Sequence, residues 1–145
     1  MNANRISIAI LADLERIRLS AAALRGVLAE LGCQRDHAQL IELCIVEALT
    51  NVVKHAYGGA PGGRVELQIT CEGETLELVL TDHGRAMPDH AIEQARAGLA
   101  GAPAALREGG YGLALIVELM DAVDYRRSDA RNTLTMTTSL RRSAP

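Results

Sequence analysis

Residues 65–80 read VELQITCEGETLELVL, two alternating runs on either side of a turn. Val65, Leu67, Ile69 and Cys71 alternate with Glu66, Gln68 and Thr70; after Glu72, Gly73 and Glu74, the residues Leu76, Leu78 and Leu80 alternate with Glu77 and Val79. A period of two sends successive side chains to opposite faces, so this stretch predicts a β-hairpin with one buried face. Strands joined by a hairpin are antiparallel. That argues against a doubly wound parallel sheet, in which strands and helices alternate regularly.

Upstream, residues 36–57 predict a long helix. It is apolar round most of its girth, through Leu40, Ile41, Leu43, Cys44, Ile45, Val46, Ala48, Leu49, Val52, Val53 and Ala56, which implies burial on several sides. Gly58 and Gly59 stop it. Further upstream, Leu14, Ile17, Ala21, Leu24, Leu28 and Leu31 recur at three- and four-residue steps, with Asp13 as N-cap and Gly32 suited to a left-handed helix end. Ile6, Ile8 and Ile10 alternate with Ser7 and Ala9 and predict a first strand with one face buried. Downstream, residues 84–110 lose periodicity around one short candidate helix after Asp89; loops of this length are functional lids or linkers. A third main helix is expected over 113–121, and two strands near 122–127 and 133–140, joined by a turn at 128–132. The order predicts an α+β two-layer sandwich, a largely antiparallel mixed sheet with three main helices on one face, as one domain over residues 1–145.

Composition narrows the function. The chain has 145 residues, 48% hydrophobic, with no Trp, no Phe and three Tyr, so it lacks the stacking platforms of single-stranded nucleic-acid binders. Fifteen basic against eighteen acidic residues leave a net charge of −3, without the basic footprint of a DNA-binding domain. Cys33, Cys44 and Cys71 are odd in number and lack a C-x-x-C pair, so they are expected as buried thiols in a reducing cytosol. The run at 6–12 after Arg5 resembles a signal peptide faintly, but Asp13, Glu15 and Arg16 follow at once, and no uncharged stretch reaches the ~20 residues of a membrane span. A soluble cytoplasmic protein is expected, with neither nucleic acid nor membrane as a partner.

Three groups of residues carry candidate chemistry. The buried-looking second helix holds Glu47, Asn51, Lys54 and His55 at i, i+4, i+7 and i+8, one polar stripe that needs solvent or a ligand. An amphipathic helix with a narrow wet face explains the stripe equally well. Glu47 one turn before Asn51 offers two oxygens to the same space, a geometry for a cation or a hydroxyl. Second, Asp82 and Gly84 stand where the hairpin's inner strand ends. The carboxylate can accept a hydrogen bond from an exocyclic amine and the glycine can admit a flat ring, although Asp-x-Gly also forms ordinary turns. Third, Gly109, Gly110 and Gly112 open the last helix, whose free N–H groups and dipole make an anion site; packing is the alternative. The phosphate-loop patterns G-x-x-x-x-G-K-[ST] and G-x-G-x-x-G are absent.

Taken in order, these motifs resemble the GHKL ATPases (the gyrase, histidine-kinase and mismatch-repair superfamily with the Bergerat fold), and within them the bacterial anti-sigma-factor serine/threonine kinases. Glu47-x-x-x-Asn51 with Lys54, His55, Ala56 and Tyr57 is similar to the N box, Asp82-x-Gly84 to the first glycine box, and Gly110-x-Gly112-Leu113 to the second. The resemblance covers residues 6–140.

What the resemblance implies is a kinase using ATP and Mg²⁺. Glu47 would be the general base, Asn51 the Mg²⁺ ligand, and Asp82 the acceptor of the adenine amine with Gly84 beneath the base. Gly110, Tyr111, Gly112 and Leu113 would form the phosphate-binding turn, with Lys54, His55 and Arg107 at the nucleotide's edge. Thr133 would join Asp82 through water, and residues 85–108 would be the ATP lid. Glu108 departs from the family, where a basic residue can stand. The implied partners are a STAS-domain anti-anti-sigma protein, phosphorylated on serine or threonine, and a sigma factor, with a homodimer as the assembly. The alternative is a non-catalytic nucleotide-binding module that sequesters its partners.

Overall fold

The hairpin at the middle of the sequence is also the middle of the sheet. In a computed structural model, which describes residues 4–98 and 110–141, strand β2 (Arg64–Glu72) pairs with β3 (Thr75–Asp82) from Val65 opposite Asp82 to Glu72 opposite Thr75. Strand β1 (Asn4–Leu11) joins the outer side of β2, β5 (Arg131–Ser139) joins β3, and β4 (Ala122–Ser128) lies beyond β5. All four pairings are antiparallel, so the mixed sheet expected from the sequence is corrected to a wholly antiparallel one among the described strands. The cause is connectivity. β2–β3 and β4–β5 are hairpins, and the two helices between β1 and β2 return the chain in the opposite direction.

Alternation sets the layers. Leu67, Leu80 and Leu134 lie in one cross-strand row and Ile69, Leu78 and Met136 in the next, all buried in one cluster with Leu24 and Leu28 of α1 (Ile17–Glu30) and Ile41, Ile45 and Leu49 of α2 (Arg35–Asn51). Each such aliphatic side chain contributes about 1.5–3 kcal/mol by leaving water. Ile116 of α4 (Gly110–Leu119) closes the same core, and a short helix α3 (Ala91–Gly98) packs on α4. The predicted α+β two-layer sandwich is the observed one.

The differences are local. Helix α1 starts at Ile17 because the Asp13 carboxylate accepts the N–H groups of Glu15 and Arg16, at 2.8 and 3.0 Å, and closes a turn ahead of the helix; Leu14 is left exposed. Its end is as expected. Gly32 has φ +76°, its N–H donates to Ala29 O and that of Cys33 to Leu28 O, the paired bonds of a Schellman motif. β1, at the sheet edge, has no fully buried side chain, and Ile6 is 42% exposed, against the buried face predicted for it. Cys44 is buried, but Cys33 and Cys71 are only partly so. Among the described residues, no helix is long and apolar enough to cross a membrane.

Candidate functional site

Helix α2 continues past Asn51 without a break as a π-helical turn, Val52–Ala56. The Tyr57 N–H donates to Val52 O at 3.0 Å, the i→i+5 bond of that turn, before Gly58 and Gly59 take left-handed φ values. Such turns concentrate at functional sites. Here it reshapes the polar stripe. Asn51 and His55 face one cleft, whereas Lys54 is exposed outside the cleft wall, because the wider turn carries it off the α-helical stripe.

The cleft encloses about 330 Å³ between the end of α2, the ends of β3 and β5, and α3, at the small end of the range for ligand pockets. Its walls are aliphatic: Ala48, Val52 and Ala56 from the helix, Leu80 and Leu134 from the sheet, Met87 and Leu113 beside them. Arg85, Gln94 and Tyr125 add polar groups at the wall, and two polar pairs face each other across the cleft. Asn51 and His55 stand on the helix side, and Asp82 and Asn132 on the sheet side.

Asp82 is 6% exposed. Its Oδ1 accepts the Gly84 N–H at 2.9 Å and the Asn132 Nδ2 at 2.8 Å, while Oδ2 takes no hydrogen bond among the described residues. Neither partner is a cation. That Oδ2 oxygen is open to the cleft, where an exocyclic amine can donate to it.

Glu47 lies to one side, against the first turn of α4. A Cβ placed on Gly112 would stand 2.5 Å from Glu47 Oε2, so the glycine lets the carboxylate sit close against this helix start. Gly84 has a packing reason of its own. A Cβ there would meet the Ala56 carbonyl oxygen at 2.4 Å, and the next N–H, that of Arg85, donates to the same oxygen at 2.7 Å. The glycine seats the β3 exit on the end of the π turn.

The structure therefore brings Asn51, His55, Asp82 and Leu113 to one cleft, with Glu47 and Gly112 in contact beside it. Gly110 and Tyr111 form the backbone of the first turn of α4. Thr133 is opposite Thr81 on the outward row of the sheet, away from the cleft; its neighbour Asn132 takes the inward position opposite Asp82. The expectation for Thr133 is corrected by strand phase: Leu134 and Met136 face the core, so residue 132 does too and residue 133 does not. That phase is the signal by which Asn132 was legible. Arg107, Glu108 and Gly109 and the 99–108 part of the expected lid lie outside the described residues.

The donor chemistry suits Mg²⁺. Among the described residues no three of His, Cys, Asp and Glu converge on a metal position, yet Glu47 and Asn51 offer oxygens one turn apart, which fits a hard cation that brings phosphate and water as its other ligands. Cys44, fully buried on the same helix, is no nucleophile: burial and the nearby Glu47 charge push its thiol up to about 12.

Residues 10–138 match the family described as Histidine kinase-like ATPase domain. The serine-protein kinase RsbW of Halalkalibacterium halodurans is 32% identical over 94% of this chain and 84% of its own length. The anti-sigma F factor of Anoxybacillus flavithermus is 31% identical over 74% of this chain and 70% of its own. A chain of the SiaB-SiaC complex from Pseudomonas aeruginosa shares the fold, with a TM-score of 0.64 at 15% identity over 91% of this chain and 89% of its own. The chain belongs to the histidine kinase-like ATPase domain family, in the branch that holds the serine-protein kinase RsbW and the anti-sigma F factor.

Proposed function

We propose that this chain is an ATP-dependent protein serine/threonine kinase that works as an anti-sigma factor by partner switching. It phosphorylates a serine or threonine of a STAS-domain anti-anti-sigma protein and holds a sigma factor in the alternative complex. The observation that carries the reading is the Asp82 carboxylate, buried at the floor of an aliphatic cleft with one oxygen saturated and the other free for an amine. Adenine is flat and apolar and carries such an amine.

The remaining roles follow from placement. With the base at Asp82, the phosphates run toward Asn51 and the N-terminal turn of α4, where free N–H groups and the helix dipole favour anions. Asn51 would hold Mg²⁺, which would draw charge from the phosphate oxygens. Glu47, one turn earlier and against Gly112, accepts the proton of the substrate hydroxyl as its oxygen bonds to the γ-phosphorus and the bond to the ADP oxygen breaks. His55 lines the phosphate end; Lys54 reaches it only through solvent. The chain forms one domain, residues 85–108 would serve as its lid, and the protein acts as a cytoplasmic homodimer whose exposed β1 edge is available for pairing.

Calorimetric titration of ATP with and without Mg²⁺, on the wild type and Asn51→Ala, tests the reading. Binding that depends on Mg²⁺ and vanishes in Asn51→Ala supports it. Absence of ATP binding by the wild type overturns it, and binding with no transfer to any STAS-domain partner leaves the sequestering module.

A further inference from the structure

Asn132 is 1% exposed, and every hydrogen-bonding group of its amide is used. Nδ2 donates to Asp82 Oδ1 at 2.8 Å and to the carbonyl oxygens of Gly84 and Arg85, both at 3.1 Å. Oδ1 accepts from Tyr125 OH at 3.0 Å and from Arg127 Nη1 at 2.7 Å. The network fixes which way the amide points. Reversed, its oxygen would face a carboxylate and two carbonyls and its nitrogen would face a guanidinium, so four of its five contacts would be like against like. Tyr125 is fixed in turn: its hydroxyl accepts the Met87 N–H at 2.9 Å and so donates to Asn132. Arg127 Nη1 also donates to Gly84 O at 2.9 Å. Residues 84–87, which have no regular secondary structure, thus hang from β4 and β5 by side-chain bonds that all pass through or beside Asn132.

Resting on the nucleotide reading above, we infer that Asn132 is a positioning residue for base recognition: through Tyr125 and Arg127 it aims the Asp82 carboxylate into the cleft and holds the 84–87 segment as the wall against the base. Asn132 itself has no spare donor for the ligand. It acts by occupying Asp82 Oδ1, so that Oδ2 is the oxygen left for the amine, and by keeping Met87 against the cleft. A buried polar site of this kind discriminates strongly between ligands that complete its bonds and ligands that do not, provided its geometry is held.

The test compares ATP with purine riboside triphosphate, which lacks the amine, by calorimetry on the wild type, Asn132→Ala and Tyr125→Phe. The wild type should prefer ATP by about tenfold or more, the worth of a hydrogen bond to a charged acceptor. Asn132→Ala should bring the two ligands within about twofold of each other by weakening ATP alone. A purely structural role would weaken both equally and keep the preference, which would overturn the inference, as would an unchanged preference with unchanged affinities. Failure of the wild type to bind ATP would sink the nucleotide reading and this inference with it. Tyr125→Phe keeps the ring and removes only the hydroxyl, so it remains informative if Asn132→Ala does not fold. It should lower the ATP preference severalfold and speed exchange of the Met87 amide; exchange at the wild-type rate would contradict the tethering.

Discussion

Gly112→Ala separates catalysis from folding more sharply than any other single change in this chain. The added Cβ would stand 2.5 Å from Glu47 Oε2 and 3.4 Å from Glu47 Cβ and Cδ, where ordinary contact begins at 3.4 Å, so the carboxylate must retreat by roughly 0.9 Å. Oε2 is the far end of a flexible side chain, and the retreat costs the fold little. An alanine inside a helix is also about 0.5–1 kcal/mol more favourable than glycine, which offsets part of the crowding. Chemistry is less forgiving. A displacement of about 1 Å in a reacting group lowers the rate by about 10²-fold, equivalent to about 2.7 kcal/mol of transition-state stabilisation. The three nearest atoms to the new methyl all belong to Glu47, so the phosphate-facing N–H groups are not crowded by it. Single-turnover transfer from labelled ATP to a STAS-domain protein should therefore slow about 100-fold, with the melting temperature and ATP affinity nearly unchanged. Transfer within about threefold of wild type would refute the placement of Glu47 as base. A large loss of melting temperature would show that the contact is structural instead.

Gly84→Ala should act in the opposite sense, because its Cβ would meet backbone atoms of Ala56 at 2.4 and 2.5 Å that cannot rotate away; a loss of about 1–3 kcal/mol in urea unfolding is expected, and an unchanged midpoint would contradict the packing role. The β4–β5 hairpin turns on Asp129 and Ala130, both with positive φ, the backbone of a type I′ turn. Ala130→Gly relieves a left-handed alanine and should raise stability by about 0.5–1 kcal/mol and the melting temperature by about 2–4 °C; a fall would show that the turn is not strained. Cys44 gives a pH signature. Folding pushes its thiol up to about 12 from an ordinary 9.0, so the unfolded chain ionises first and this contribution to stability is intact below pH 9 and lost as pH rises toward about 12, by up to about 1.4 kcal/mol per pH unit. Urea midpoints of the wild type and Cys44→Ala above pH 9 should diverge in slope; parallel slopes would refute the burial of the thiol.

Periodicity made the fold legible. The alternation over 65–80 places the central hairpin, and Gly32 and Gly58 mark helix ends that the structure puts one or two residues from where the pattern does. What failed was whatever depended on neighbours. The alternation of Ile6, Ile8 and Ile10 says nothing of whether the strand lies at the middle of the sheet or at its edge, and at the edge Ile8 and Ile10 are only partly buried and Ile6 is exposed. Leu14 fits the helical stripe, but the Asp13 carboxylate spends that stretch on a turn. The site divides the same way. Residue type and spacing single out Glu47, Asn51, His55, Asp82 and Gly112, which the structure brings to one cleft or beside it. Lys54 stands outside the cleft because a π turn is not written in an α-helical period, and strand phase turns Asn132, not Thr133, toward the cleft. The contact of Gly84 with the Ala56 carbonyl joins residues 28 positions apart in the chain, so it is visible only in three dimensions.

The central claim is phosphoryl transfer with Glu47 as the base. Its most direct measurement is transfer of labelled γ-phosphate to a STAS-domain protein by the wild type and by Glu47→Ala, each first shown to bind Mg²⁺-ATP. The account predicts label on a serine or threonine with the wild type, and retained ATP binding without transfer in Glu47→Ala. Equal transfer by the two proteins would contradict it.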